Sequence, residues 1–138
     1  MNVVRAGVGV IILRDNKILL GRRSNIEAHG KGTWCCPGGK IEFEENLAGC
    51  AKREVQEETG IKINEIKLIS ITNDIAYSKH YITLGFLCES FEGEPEVVEP
   101  ESMIEWRWFP LTDLPKPLFL PSEKLINNYL SKTIYKGD

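Results

Sequence analysis

An α+β layered domain is the fold class this sequence predicts, and three observations carry that prediction. The chain opens on stretches whose apolar residues recur every second position. A helical stretch with its own stop signal then sits between strands, and a second amphipathic helix closes the chain. A length of 138 residues suits one ordinary core, so residues 1–138 are expected to form one domain.

The elements follow in order. Ala6, Val8, Val10 and Ile12 alternate with their neighbours and mark a first strand. Arg14-Asp15-Asn16-Lys17 reads as a turn, after which Ile18-Leu19-Leu20 resumes as a hairpin partner. Residues 25–39 are rich in glycine and small polar residues and are expected to form a loop. A helix is expected over 45–59, with Gly60 as its stop. Residues 66–72, 81–89 and 104–109 read as further strands. Ser122 is expected to cap a last helix through 133, with Leu125, Ile126, Tyr129 and Leu130 as its apolar stripe.

Composition narrows the function. Seventeen Lys and Arg against 20 Asp and Glu leave a net charge of −3, which argues against a nucleic acid polymer or an anionic membrane as partner. No apolar run reaches the roughly 20 residues that span a bilayer, and no secretory leader is read at the start, so a cytoplasmic address is expected. The four cysteines fit that address. Cys35 and Cys36 are adjacent, Cys50 and Cys88 stand alone, and neither His29 nor His80 has zinc-like spacing to them. They are expected to be reduced, buried and apolar in behaviour.

The stretch 45–59 is where pattern becomes chemistry. At about 100° per residue, Leu47, Ala51 and Val55 form a narrow apolar stripe with Ala48 beside it. Glu54 and Glu58 lie one turn apart and Glu57 three residues after Glu54, so three carboxylates project beside that stripe. Like charges at these spacings repel, and Glu57 and Glu58 also oppose the dipole at the helix end. A solvated acidic face is the plain alternative. It is disfavoured because the outward positions Lys52 and Gln56 are not acidic. A hard divalent cation, which takes carboxylate oxygens and cancels their repulsion, gives the cluster a reason. Arg53 is placed to reach Glu57 at i+4 and to orient a carboxylate.

The spacing from Gly39 runs five residues to Glu45, seven more to Arg53-Glu54-Val55, one to Glu57-Glu58, and one to Gly60-Ile61. It matches the Nudix box, residues 39–61 here, at every defined position. With seven fixed residues at average usage of about 5–7 % each, chance gives on the order of one match in a billion per start. The segment Trp34-Cys35-Cys36-Pro37-Gly38-Gly39 resembles the loop that enters the box in MutT-like members, although a bulky apolar residue is commoner where Cys36 stands. The stretches 80–84 and 92–95 are similar to MutT-like nucleoside triphosphate pyrophosphohydrolases as well. Residues 98–101 followed by Trp106-Arg107-Trp108 are similar to the human MutT-homologue branch, and the likeness in all covers about residues 3 to 115.

The resemblance implies a Nudix fold, an α/β/α sandwich with a mixed sheet between helices. It implies a Mg²⁺- or Mn²⁺-dependent hydrolase that cleaves a nucleoside diphosphate linked to another group, with water as the attacking group. Glu54, Glu57 and Glu58 would hold the metal, with Glu54 as base and Arg53 orienting it. The carbonyl at Gly38 or Gly39, taken as Gly39, would be a further ligand, and Glu45 would support the loop. A later carboxylate would complete the set: Glu99, with Glu101 as fallback. Arg22, Arg23, Lys31 and Lys40 form a local basic cluster. Of these, Arg23 and Lys40 match positions that touch phosphate, with Gly38 beside them. Two glycines would let backbone approach ion and phosphate closely.

The expected substrate is a nucleoside or deoxynucleoside triphosphate, oxidised or non-standard bases included, released as monophosphate and pyrophosphate. ADP-ribose or a dinucleoside polyphosphate on the same site is the alternative, Tyr77 being a weak pointer to the latter. A non-catalytic nucleotide sensor is a further one. A homodimer is compatible with the resemblance.

Overall fold

The computed structural model describes residues 2–27 and 29–137. Its elements are β1 (Arg5–Arg14), β2 (Lys17–Arg23), β3 (Trp34–Cys35), β4 (Gly38–Lys40), α1 (Leu47–Thr59), β5 (Lys62–Ala76), β6 (Lys79–Glu92), β7 (Met103–Pro110) and α2 (Leu120–Ser131). β1 runs parallel to β6 and antiparallel to β4, and β5 completes that side antiparallel to β6. β2 pairs with the end of β1 and carries β3 and β7, all antiparallel. The sheet is therefore mixed, as expected.

The two helices cover opposite faces. Val8, Val10 and Ile12 of β1 pack with Cys50, Ala51 and Val55 of α1. Ile11 and Leu13 point the other way and pack with Leu125 and Ile126 of α2. Both faces of β1 are thus buried, and its central residues are closed to solvent on each side, unlike a strand with one wet face. The result is the α/β/α sandwich.

Several boundaries differ from expectation, each for a physical reason. The glycine-rich 25–39 stretch holds β3 and the start of β4. Gly38 and Gly39 pair with Gly9 and Val8 of β1, a long-range contact with no local signature. α1 starts two residues late because Asn46 caps it, its side chain accepting the Gly49 N–H at 2.6 Å. Its buried face is Cys50, Ala51, Val55 and Thr59, while Leu47 stands exposed. Gly60 closes the helix as expected, at φ 80° with its N–H on the Gln56 carbonyl. β5 is longer than 66–72 and joins β6 through Tyr77 and Ser78, both at positive φ. This two-residue turn carries no glycine to announce it.

Ser122 does not cap α2. Phe119 is the N-cap without a side-chain bond, and Ser122 is buried inside the helix, accepting the Cys36 N–H at 2.9 Å. Leu125 and Ile126 form the buried face as expected and Tyr129 packs beside them. Leu130 is exposed, and its expected place is taken by Asn128, whose amide bonds the Ser70 hydroxyl and the Ile134 carbonyl. All four cysteines are free and buried. Burial pushes the Cys35 and Cys36 thiols up to about 12, so they behave as apolar groups. Replacing Asn46 with alanine removes the α1 cap and is expected to cost about 1 kcal/mol, measurable by chemical denaturation.

Candidate active site

α1 is anchored by its buried face so that Arg53, Glu54, Glu57 and Glu58 emerge toward β4 and the turn before it. Arg53 is the organising cation. Its Nε and Nη2 clamp Glu45 at 2.6 and 2.9 Å, and its Nη1 donates to Glu54 Oε1 at 2.7 Å and Glu57 Oε1 at 3.0 Å. Nη2 also reaches the Lys40 carbonyl at 3.3 Å, tying the helix to the end of β4. The Arg53 bonds hold the Glu45 carboxyl down to about 2. The i+4 contact expected between Arg53 and Glu57 is present. So is the supporting place of Glu45, through Arg53 and the Glu42 N–H.

The two inner carboxylates sit against glycine backbone. Glu58 Oε1 accepts the Gly38 N–H at 2.7 Å, and the residue is partly buried. Burial first, then the charges of Glu54 and Glu99, push its carboxyl up to about 8. Glu54 is half-buried and raised for the same reason, Arg53 opposing and Glu57 and Glu99 adding to the rise. A Cβ on Gly39 would overlap the Glu54 carboxylate, and one on Gly38 would overlap the Val8 carbonyl oxygen. Glycine is therefore required at both positions by close approach.

Glu99 comes from the turn before β7, and its charge is felt at Glu54 and Glu58. Its own carboxyl is raised by burial and by Glu57, Glu101 and Glu27. The turn is pinned by Ser24, whose hydroxyl donates to the Glu101 carbonyl at 2.6 Å and whose N–H donates to the Ser102 carbonyl.

This donor set suits a hard divalent ion. It is all oxygen, neighbouring charges raise the proton affinity of Glu54, Glu58 and Glu99, and the missing side chain at Gly39 lets the Glu54 carboxylate lie against the backbone. As the side chains stand, no three acidic, His or Cys groups among the described residues converge on one point. Arg53 instead holds Glu54 and Glu57, and the Gly38 N–H holds Glu58.

A cavity of about 590 Å³ runs from these carboxylates across the sheet. Gly38, Gly39, Lys40, Glu54 and Glu58 line one end, and Tyr77, Tyr81, Phe119 and Asp74 the other. Arg23 lies along it, packed on the Phe119 ring at 4.4 Å, bonded to the His29 carbonyl at 3.1 Å and 3.6 Å from Glu27. Tyr77 stacks on Phe119 with centroids 5.2 Å apart, and its hydroxyl accepts the Leu120 N–H. His29 lies by both rings, its proton affinity lowered by burial and by Arg23. Of the four basic residues singled out, Arg23 and Lys40 line the cavity, whereas Arg22 and Lys31 do not.

The NUDIX domain model matches residues 3–129. The chain belongs to the NUDIX family. A MutT NUDIX hydrolase structure from Burkholderia pseudomallei shares 34% identity with a TM-score of 0.85, covering 92% of this chain and 98% of that one. An ADP-ribose pyrophosphatase of Methanocaldococcus jannaschii is 34% identical over 122 residues, 87% of this chain and 69% of its own length. The NAD-capped RNA hydrolase NudC of Escherichia coli is 31% identical over 106 residues, and the match spans only 39% of that protein. As a Nudix hydrolase of the MutT-like kind, the chain acts on nucleotide-linked substrates with a divalent metal. Among its described residues no helix is long and apolar enough to cross a membrane.

Sequence reasoning missed the far end of the cavity. Phe119, His29 and Asp74 belong to three separated segments, and their meeting depends on how α2 and the loop after β2 fold over the sheet. The glycines at 7 and 9, set two apart on one strand, were the one local hint of an opening on that face.

Proposed function

We propose that this Nudix hydrolase is a Mg²⁺-dependent pyrophosphohydrolase of nucleoside or deoxynucleoside triphosphates, oxidised and non-standard bases included. The observation that carries the reading is the cavity's two unlike ends. One is acidic and glycine-floored, suited to ions and a polyphosphate, and the other is a single aromatic compartment suited to one ring. One ring compartment favours a triphosphate over a dinucleoside polyphosphate.

In this reading Glu54, Glu57, Glu58, Glu99 and the Gly39 carbonyl would hold Mg²⁺, Mn²⁺ being an alternative, and the ion would supply charge that screens the phosphates and eases deprotonation of the attacking water. Glu54 accepts the proton of the attacking water. Arg53 fixes its Oε1, while Oε2 lies against Gly39, and half-burial raises its proton affinity above the ordinary carboxylate value. Water attacks phosphorus, the bridging P–O bond breaks, and monophosphate and pyrophosphate leave. Arg23 and Lys40 bind phosphate oxygens, Arg through its planar fork. Gly38 shapes the floor beneath them.

The test is pyrophosphate release from a panel of triphosphates, ADP-ribose and diadenosine tetraphosphate with Mg²⁺. A triphosphate is expected to give the highest kcat/KM. Preference for ADP-ribose or the dinucleotide by orders of magnitude would overturn the substrate, and tight binding with no turnover would favour a sensor.

A further inference from the structure

One block of the sheet beneath α2 is built from residues too small or too polar to form core. On β1 it is Gly7 and Gly9, on β6 Thr83 and Gly85, and on β5 Ser70, Thr72 and Asp74. The register makes them one face. Gly7 lies opposite Thr83 and Thr83 opposite Thr72; Gly9 lies opposite Gly85 and Gly85 opposite Ser70; Tyr81 lies opposite Asp74. One step along, Ile11, Leu13 and Leu87 resume the apolar core under α2. The face changes from core to cavity lining within β1 itself, at Gly9, where a Cβ would crowd Leu125 of α2 at 3.2 Å.

Asp74 is the charged group on that floor. It lines the cavity yet is only 2% exposed. Its Oδ2 accepts hydrogen bonds from the hydroxyls of Thr72 at 2.9 Å and Thr83 at 2.5 Å. Its Oδ1 has no hydrogen-bond partner. Lys124 of α2 approaches Oδ1 at 3.2 Å as an ion pair, while its Nζ donates a hydrogen bond to the Asn73 carbonyl at 2.6 Å. Both threonine hydrogens are spent on Oδ2, so what this polar group offers a ligand is acceptors. Lys124 supplies charge to Oδ1 but no hydrogen bond, and a ligand N–H would supply that bond.

Distance fits a ring. From β4 to β5 the order is β4, β1, β6, β5, with Lys40, Gly7, Thr83 and Thr72 in one row. Three strand spacings make about 14 Å. That suits an extended nucleotide with its phosphates at Gly39 and Lys40 and its ring edge at Asp74.

We infer that Asp74 is the specificity-determining residue of the ring compartment, selecting a ring whose outer edge carries adjacent N–H donors. Guanine has this edge, with N1–H beside the 2-amino group. Adenine and cytosine set an acceptor nitrogen next to their amino group, and uracil flanks its N–H with carbonyls, so each opposes acceptor with acceptor. A substituent at C8 of the purine lies away from this edge and is not read by Asp74. The inference rests on the nucleotide reading proposed above.

The experiment measures binding of GMP and AMP to the metal-free protein by calorimetry, which needs no turnover. Wild type is expected to bind GMP at least tenfold more tightly than AMP. Asp74→Asn, which turns an amide N–H₂ toward the ligand, is expected to bring the ratio below threefold. Lys124→Met removes the ion pair but keeps the carboxylate, and should lower Tm while preserving the ratio. Equal binding of GMP and AMP by wild type overturns the inference even if Asp74→Asn fails to fold. So does an unchanged ratio in Asp74→Asn, or a ratio lost equally in Lys124→Met. A wild type that keeps the tenfold ratio but hydrolyses no triphosphate would overturn the proposed function and support this assignment.

Discussion

Exchanging Glu57 or Glu58 for glutamine is expected to lower turnover by about 10²-fold or more while the fold survives. Glutamine keeps each shape, and at position 58 it can still accept the Gly38 N–H. What it removes is a negative charge where an ion and a diphosphate must be held, and charge stabilisation of that kind is worth several kcal/mol in a transition state. Glu65, exposed on β5 and outside the cavity, is the matched control, and Glu65→Gln should leave turnover unchanged. Steady-state pyrophosphate release with circular dichroism on the same samples decides the matter. Near-wild-type rates in both Glu57→Gln and Glu58→Gln would defeat the assignment of metal binding to this helix.

The second large effect is on stability, in the protein stripped of metal. Burial pushes the Glu58 carboxyl from its ordinary 4.5 up to about 8, because the ionised form loses its hydration. A folded-state value above the unfolded one means the favourable contribution is complete below about 4.5 and is lost as pH rises through about 8. The metal-free protein is therefore expected to be less stable at pH 9 than at pH 5. Each tenfold in proton affinity is worth about 1.4 kcal/mol, so the loss through this group is of order a few kcal/mol. Glu54 and Glu99 are raised too and act in the same direction, which makes the comparison with Glu58→Gln the deciding one. Denaturation curves with chelator should show the variant losing less stability than wild type between pH 5 and pH 9. Parallel curves would show that Glu58 does not carry the cost.

How much could be read in advance depended on how local the cause was. The box was legible because a helix converts fixed sequence spacing into fixed direction. Arg53, Glu54, Glu57 and Glu58 needed only the 3.6-residue period to be placed together, and Gly60 announced its own left-handed stop. β4 was not legible because its pairing is with Gly7, Val8 and Gly9, about thirty residues earlier, and its glycines look locally like loop. Ser122 illustrates a similar limit. A serine ahead of an apolar stripe reads as a cap, yet the tertiary fold buries it to satisfy the Cys36 N–H. Leu47 and Cys50 exchanged roles on α1 because Asn46 set the helix start and hence which side faces the sheet. The ring end of the cavity was the least legible part. Arg23 and Tyr77 could be singled out, but Arg23 of β2, Asp74 of β5, Tyr77 of the β5–β6 turn and Phe119 ahead of α2 are far apart in sequence, and only the closure of α2 over the sheet brings them together.

The central claim is that the acidic face of α1 binds divalent ions that carry the substrate's phosphates. Crystals grown with Mg²⁺ and a non-hydrolysable nucleoside triphosphate test it most directly. Density for ions bonded to Glu54, Glu57 and Glu58, with phosphate oxygens completing their coordination, is the result expected. The same carboxylates bare and turned to bulk solvent, with nucleotide bound elsewhere, would contradict it.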